Sequence, residues 1–437
     1  MPDSYAHWML EQEARALLTR LGRIRPFALH EAMVPAASLS TPAQSAVERY
    51  LAQGRRELRV RVERYLDWLR GPGRAATPEE VQRRFTFLRL RFNVVLSHFD
   101  VFAEVVTQRS EHDTGVWLAG LDIVAECALR LDGGYYEPPP LMCYLARGHG
   151  AAIRRARTRL PGGGESPAGI IRIPRERMVG SGIASSLVHE VGHQGAALLD
   201  LVDELRPVLA RRAQDAGELE PAWRMWERWI SEIVADFWSV GRVGVASTTG
   251  LMGVVSLPRA FVFRIDAEDP HPTPWLRMVL SAAMGGALYP DPQWGRLTAL
   301  WRELYPLNDD VAAPARRLIE MVERTIPDFV RLLLGFRPPK LGGESLAEAM
   351  RPEGRTPARL REQWRRSRGR FQALRDAPPS LAFAIVGQAR ADGTLTPEGE
   401  GSLLVDLLTY WALRSTLETT DFAATRPRVR PALAPMG

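Results

Sequence analysis

The stretch SSLVHEVGHQGAAL, residues 185–198, sets the strictest condition on how this chain can fold. His189, Glu190 and His193 stand among Leu187, Val188, Val191, Gly192, Ala196 and Ala197, so a helix here is apolar nearly all round and belongs inside the protein. Ionisable side chains are costly to bury without partners. The fold must therefore bring complementary groups to this helix. Residues four apart project from one helical face, so the two imidazoles point the same way. Gly192 adds a second condition. A glycine inside a helix costs about 1 kcal/mol relative to alanine, and its position beside His193 is expected where another segment or a substrate comes close.

The rest of the chain reads as helices around a short irregular middle, a predominantly helical α+β protein with a small sheet. TPEEVQRRFTFLRLRFNVVLSHFDVFAEVV opens with Thr77 as N-cap and Pro78 at the first helical position. Phe85, Leu88, Phe92, Val95, Phe99 and Phe102 recur at three- and four-residue spacing, one buried stripe, and His98 beside it reads as structural. Periodicity stops at DGGYYEPPP, Asp132–Pro140. Then come LMCYLA, AAIRRARTRL and GIIRIP, which read as strands, the last two separated by the turn-rich PGGGESPA. That glycine run lacks the lysine of a phosphate-binding loop and is a turn. The His189 helix follows, with Ser181 as expected N-cap. Next comes EPAWRMWERWISEIVADFW, anchored by Trp223, Trp226 and Trp229. DAEDPHPTP precedes a further helix from Trp275. The expected organisation is an N-terminal helical region over 1–135, a core over 136–289, a C-terminal helical region over 290–424 and a disordered tail over 425–437.

Length and composition remove several classes. The chain has 437 residues, 46% hydrophobic and 25% charged, ordinary values for a folded protein. Its formal charge of +6 rests on arginine, Lys340 being the single lysine. The basic runs at Arg154–Arg159 and Arg361–Arg370 read as solvated faces, and no nucleic-acid-binding signature accompanies them. Apolar stretches near Val116–Leu131 and Gly250–Val262 are broken by charge, proline or turn residues, so no membrane span is expected. The acidic, amphipathic start lacks the basic beginning and apolar core of a secretory signal, so none is expected. Cys127 and Cys143 alone give no disulfide framework, and a cytoplasmic location is the expectation.

Neutral imidazole is a good zinc ligand, and His189 with His193 can offer two nitrogens to one ion. Glu190, a quarter-turn round, is placed to act as base toward water at the metal's open position. A catalytic zinc site needs a third protein ligand. Extension in the metzincin manner would require glycine at position 196 and histidine at position 199, where this chain has Ala196 and Leu199. A carboxylate on a later helix remains. Glu232 in SEIVADFW has Asp236 one turn on along the same face; Asp203, Glu204 and Glu227 compete but lack such a partner.

Here the chain resembles the gluzincin metallopeptidases, in which HExxH is completed downstream by Glu-x-x-x-Asp. Glu232 lies 39 residues after His193, closer to the looser spacing of the CAAX-prenyl-protease-like and heat-shock zinc proteases, and the resemblance covers roughly residues 168–280. It implies a zincin-like core, with Zn2+ on His189, His193 and Glu232, and Asp236 holding the other ring nitrogen of His189. It further implies that His271 and Arg277, in DPHPTPWLRM, steady the substrate or its oxyanion, although Arg277 pairing with Asp236 is the alternative. GIIRIP is then either the edge strand that adds a peptide substrate or an ordinary core strand. The expected protein is a soluble zinc metallopeptidase acting on a protein or peptide, with flanking helices that shape its cleft or answer to a regulatory partner. The alternative is a non-catalytic zinc-containing scaffold that binds a protein.

Overall fold

The computed structural model describes residues 5–147, 151–159, 165–175, 180–266 and 268–425, and the expected tail lies almost wholly outside them. Four helices come first: α1 (Tyr5–Arg23), α2 (Thr41–Arg70), α3 (Pro78–Thr107) and α4 (His112–Leu129). Three strands follow, β1 (Leu141–Ala146), β2 (Ala152–Arg154) and β3 (Gly169–Pro174). The centre of the chain carries α5 (Ser181–Leu198), α6 (Leu201–Gln214), α7 (Glu220–Val243), α8 (Val245–Val255), the single turn α9 (Arg259–Val262) and α10 (Pro274–Leu288). Helices α11 (Gln293–Leu304), α12 (Ala313–Gly335), α13 (Leu346–Ala349), α14 (Pro357–Ser367), α15 (Phe371–Leu374), α16 (Pro379–Ala391) and α17 (Pro397–Thr425) complete it. The protein is mostly helical with one small sheet, as its periodicities require.

Local signals act where expected. The Thr77 hydroxyl accepts the Glu80 amide at the start of α3, with Pro78 at the first helical position. At the start of α5 the cap is Gly180 rather than Ser181, which is already helical. Gly180 has φ +83 and ψ −167, a region that only glycine enters easily, and this residue turns the chain sharply into the helix.

The sheet has the order β1–β3–β2, β1 parallel and β2 antiparallel to the central β3. GIIRIP is therefore not an edge. Its ladder is filled by Leu141–Ala146 on one side and by Ala152–Arg154 on the other. β2 is shorter than the run AAIRRARTRL suggested: it ends at Arg154, and Arg157, three residues on, sits at φ +62, outside extended backbone. The outer edge of β1 is closed by side chains. Gln108 accepts the Leu145 amide and donates to its carbonyl, both at 2.8 Å, while Asp122 takes the Cys143 amide at 2.7 Å. Arg109, with no solvent exposure, donates to the Cys143 carbonyl at 2.7 Å and pairs at 3.0 Å with the largely buried Asp122.

Alternation along β1 and β3 puts Met142 and Ile170 on one face, Cys143, Leu145, Ile171 and Ile173 on the other. The first face packs on a core built by α1–α3, which includes Phe85, Phe92, Phe99 and Phe102 and encloses His98. The second joins a larger core running from α4 through α5 and α7 to α17. The two large cores therefore divide near residue 110, with α4 in the larger. Helices beyond residue 290 share that core rather than building one apart. Trp226 shows why: its ring stacks on Phe329 of α12 at 4.4 Å and its indole N–H donates to Thr325 at 2.8 Å.

Candidate metal centre

Helices α5 and α7 cross at Gly192 and Gly195. A β-carbon at residue 192 would lie 2.8 Å from the Ala235 backbone and from Cβ of Trp238; one at residue 195 would lie 2.5 Å from the Trp238 ring. The close neighbour of Gly192 is thus a helix of the same chain. This approach carries Glu232 over the histidine face of α5. Its Oε2 lies 3.2 Å from Nε2 of His189 and 3.5 Å from Nε2 of His193, and one ligand atom from each residue falls within 4.8 Å of the others. All three are largely withdrawn from water. Oε2 of Glu232 is buried without a conventional hydrogen-bond partner, while Nε2 of His271 lies 3.1 Å away.

Behind His189, Nδ1 donates to Oδ1 of Asp236 at 2.7 Å, leaving Nε2 to face Glu232. Arg277, on α10, donates Nε to Oδ2 and a terminal nitrogen to Oδ1 of the same aspartate, at 2.7 and 2.8 Å. The pairing weighed as an alternative for Arg277 is thus the one present. His271 stands in the loop before α10, 45% exposed at its side chain, with Nδ1 on Asp269 at 2.7 Å. Glu190 is 7% exposed, and its carboxylate accepts no hydrogen bond from the described residues.

Burial opposes every charge here, and neighbours decide the outcome. It alone would lower the His189 imidazole, but Asp236 and Glu232 push it up to about 9. It would raise Glu232, yet three imidazoles hold that carboxyl far below its usual range. It would raise Asp236, which Arg277 and His189 hold well down. Arg277, disfavoured by burial, is raised by Asp236. His271 is raised, first by its contact with Glu232.

Two partners had no signal in the sequence. Asp269 is one of several acids in a loop, and nothing in spacing ties it to His271. Gln194, directly after His193, accepts the Ala156 amide at 2.7 Å and so anchors the chain leaving β2 to the histidine helix. The second basic run has structural employment. Arg361 bridges Asp291 and Asp392, and Arg365 and Arg366 pair with Glu362. Both cysteines are free. No helix is long and apolar enough to cross a membrane among the described residues. Comparison with protein-family models, curated proteins and solved structures gave no match.

Proposed function

We propose that this chain is a zinc-dependent metallopeptidase whose working part is a zincin-like unit of β1–β3, α5 and α7. The observation that carries the reading is the convergence of His189, His193 and Glu232, with Asp236 behind the first histidine. Two imidazoles and one carboxylate suit zinc, and three protein ligands leave the open position that separates a catalytic centre from a structural one. The buried Oε2 of Glu232, without a conventional hydrogen-bond partner, fits the same ion. Zinc, when bound, supplies Lewis acidity to a carbonyl oxygen and to water.

The chain's own residues do the rest. Glu190 takes a proton from the attacking water and hands it to the leaving amine. His271, oriented by Asp269, donates toward the negative charge that develops on the carbonyl oxygen. Arg277 works through Asp236 as a positioning residue. A peptide adding as an extra strand would meet β2, since β3 is paired on both sides and β1 is sealed.

The burial of Glu190 favours one second reading, a zinc-containing scaffold that binds a protein partner without cleaving it. Zinc content by elemental analysis and cleavage of a mixed peptide library separate the two, using the parent, Glu190→Gln and Glu232→Ala. A metallopeptidase holds about one zinc per chain in the parent and in Glu190→Gln, loses it in Glu232→Ala, and cleaves only as the parent. Zinc without cleavage in the parent favours the scaffold. A parent that takes up no zinc overturns both.

A further inference from the structure

Helices α2 and α3 share an outward face that their core does not account for. The inward stripe of α3 is fully employed, with Phe85, Phe92, Phe99 and Phe102 buried. Phe87 on the same helix is nevertheless 67% exposed, Leu90 one turn on is 56% exposed, and Val60 on α2 is 42% exposed. A shallow groove of about 470 Å³ runs between the two helices, floored by Tyr65, Trp68 and Leu88. Its rim is Arg61, Arg64, Arg84 and Arg91, with Phe87 among them.

Only one of these arginines is neutralised. Arg84 pairs with Glu80 at 2.9 Å and lies over the Trp68 ring at 4.1 Å. Arg61, Arg64 and Arg91 have no acidic partner among the described residues, in contrast to the run at Arg361. Glu57, four residues before Arg61 on α2, accepts from Gln53 instead.

Protruding apolar side chains ringed by unpaired guanidiniums suit one surface above others. Phenylalanine and leucine can enter the boundary between headgroups and acyl chains, while arginines lay their stems on apolar neighbours and meet lipid phosphates with their tips. We propose that the α2–α3 face docks on an anionic lipid bilayer. The association is peripheral, since no helix among the described residues can cross a membrane. Protrusion favours lipid over polypeptide: a fluid bilayer accommodates Phe87 and Leu90 wherever they stand, whereas a folded partner must be shaped to receive them. This inference is independent of the metal centre.

Co-sedimentation of the full chain with vesicles of equal phosphatidylserine and phosphatidylcholine tests it. Binding is expected at low salt, falling steeply as salt rises, and is not expected on phosphatidylcholine alone. Combining Arg61→Glu, Arg64→Glu and Arg91→Glu should lower partitioning roughly tenfold or more, and Phe87→Ser should lower it measurably, with circular dichroism of both variants unchanged. Failure to sediment with the anionic vesicles at low salt overturns the proposal. So does undiminished sedimentation of the triple variant. If polyglutamate or an oligonucleotide binds as well as the vesicles and Phe87→Ser changes nothing, the face is a general anion binder and the lipid assignment fails.

Discussion

Arg277 grips Asp236 with two nitrogens, and the oxygen that takes one of them also takes Nδ1 of His189. One aspartate thus ties α10 to the histidine helix. Replacing Arg277 by methionine leaves a buried carboxylate short of its main partner, a loss of about 3–5 kcal/mol for pairs of this kind. Zinc affinity should fall roughly 10–100-fold, the usual effect of removing support behind a ligand. Arg277→Lys should recover only part, because an ammonium cannot make the two-pronged contact. Urea unfolding measures the loss of stability, and competition against a chromophoric chelator the loss of zinc affinity.

The crossing at Gly192 gives a prediction that propensity alone would get backwards. Alanine is the better helix former by about 1 kcal/mol, but its β-carbon would press on Ala235 and Trp238. Overpacking costs typically 1–3 kcal/mol, so Gly192→Ala should lower thermal stability and weaken zinc binding together. Gly182 on the same helix has open space where a β-carbon would go. Gly182→Ala should be neutral or stabilising, as thermal unfolding of both variants will show.

Asp122 and Arg109 form a pair withdrawn from solvent that also holds the backbone of Cys143. Asp122→Ala strands a guanidinium with no solvent exposure and should cost about 3–5 kcal/mol. A variant carrying both Asp122→Leu and Arg109→Met should be less destabilised than the single change, which a double-mutant cycle by urea unfolding will test.

Burial, and then the charge of Asp122, raise the Glu126 carboxyl from 4.5 to about 7. It lines a cavity of about 260 Å³ between α4, α17 and the segment before α2. An acid whose folded value is raised contributes its stability in full below the unfolded value and loses it as pH climbs through the folded one. Stability from this group should therefore drain away between about pH 4.5 and 7. At about 1.4 kcal/mol per unit, and discounted because the side chain keeps some exposure, the loss is about 1–3 kcal/mol. Glu126→Gln should gain on the parent across that window in urea titrations at pH 5 and pH 8.

What could be read from the sequence follows the range of each interaction. His189 with His193, Glu232 with Asp236, and Thr77 with Glu80 are four or fewer residues apart, and helical periodicity displays such pairs directly. Gly192 announced a close approach without saying whose. Sheet order was not legible: alternation reveals that GIIRIP is a strand but says nothing about its neighbours, so a central strand and an edge look alike. The partners of His271 and of Cys143 were hidden for the same reason, since nothing periodic links Asp269 to His271 or Arg109 to a strand 34 residues away. The boundary between the two large cores is not legible because α3 and α4 both present an apolar face, and only packing tells which core each face enters.

The sealed edge of β1 also governs how copies of this chain meet one another. Unpaired strand edges invite intermolecular sheets, the usual route to domain swapping and aggregation. With the backbone of Cys143 and Leu145 already answered by Gln108, Arg109 and Asp122, a second chain finds no ladder to extend there. Recruitment at the sheet must begin at β2, three residues long and followed by the left-handed turn at Arg157. Removing the Gln108 amide would leave the Leu145 N–H and C=O without the partners that close this edge, while Arg109 and Asp122 still hold Cys143.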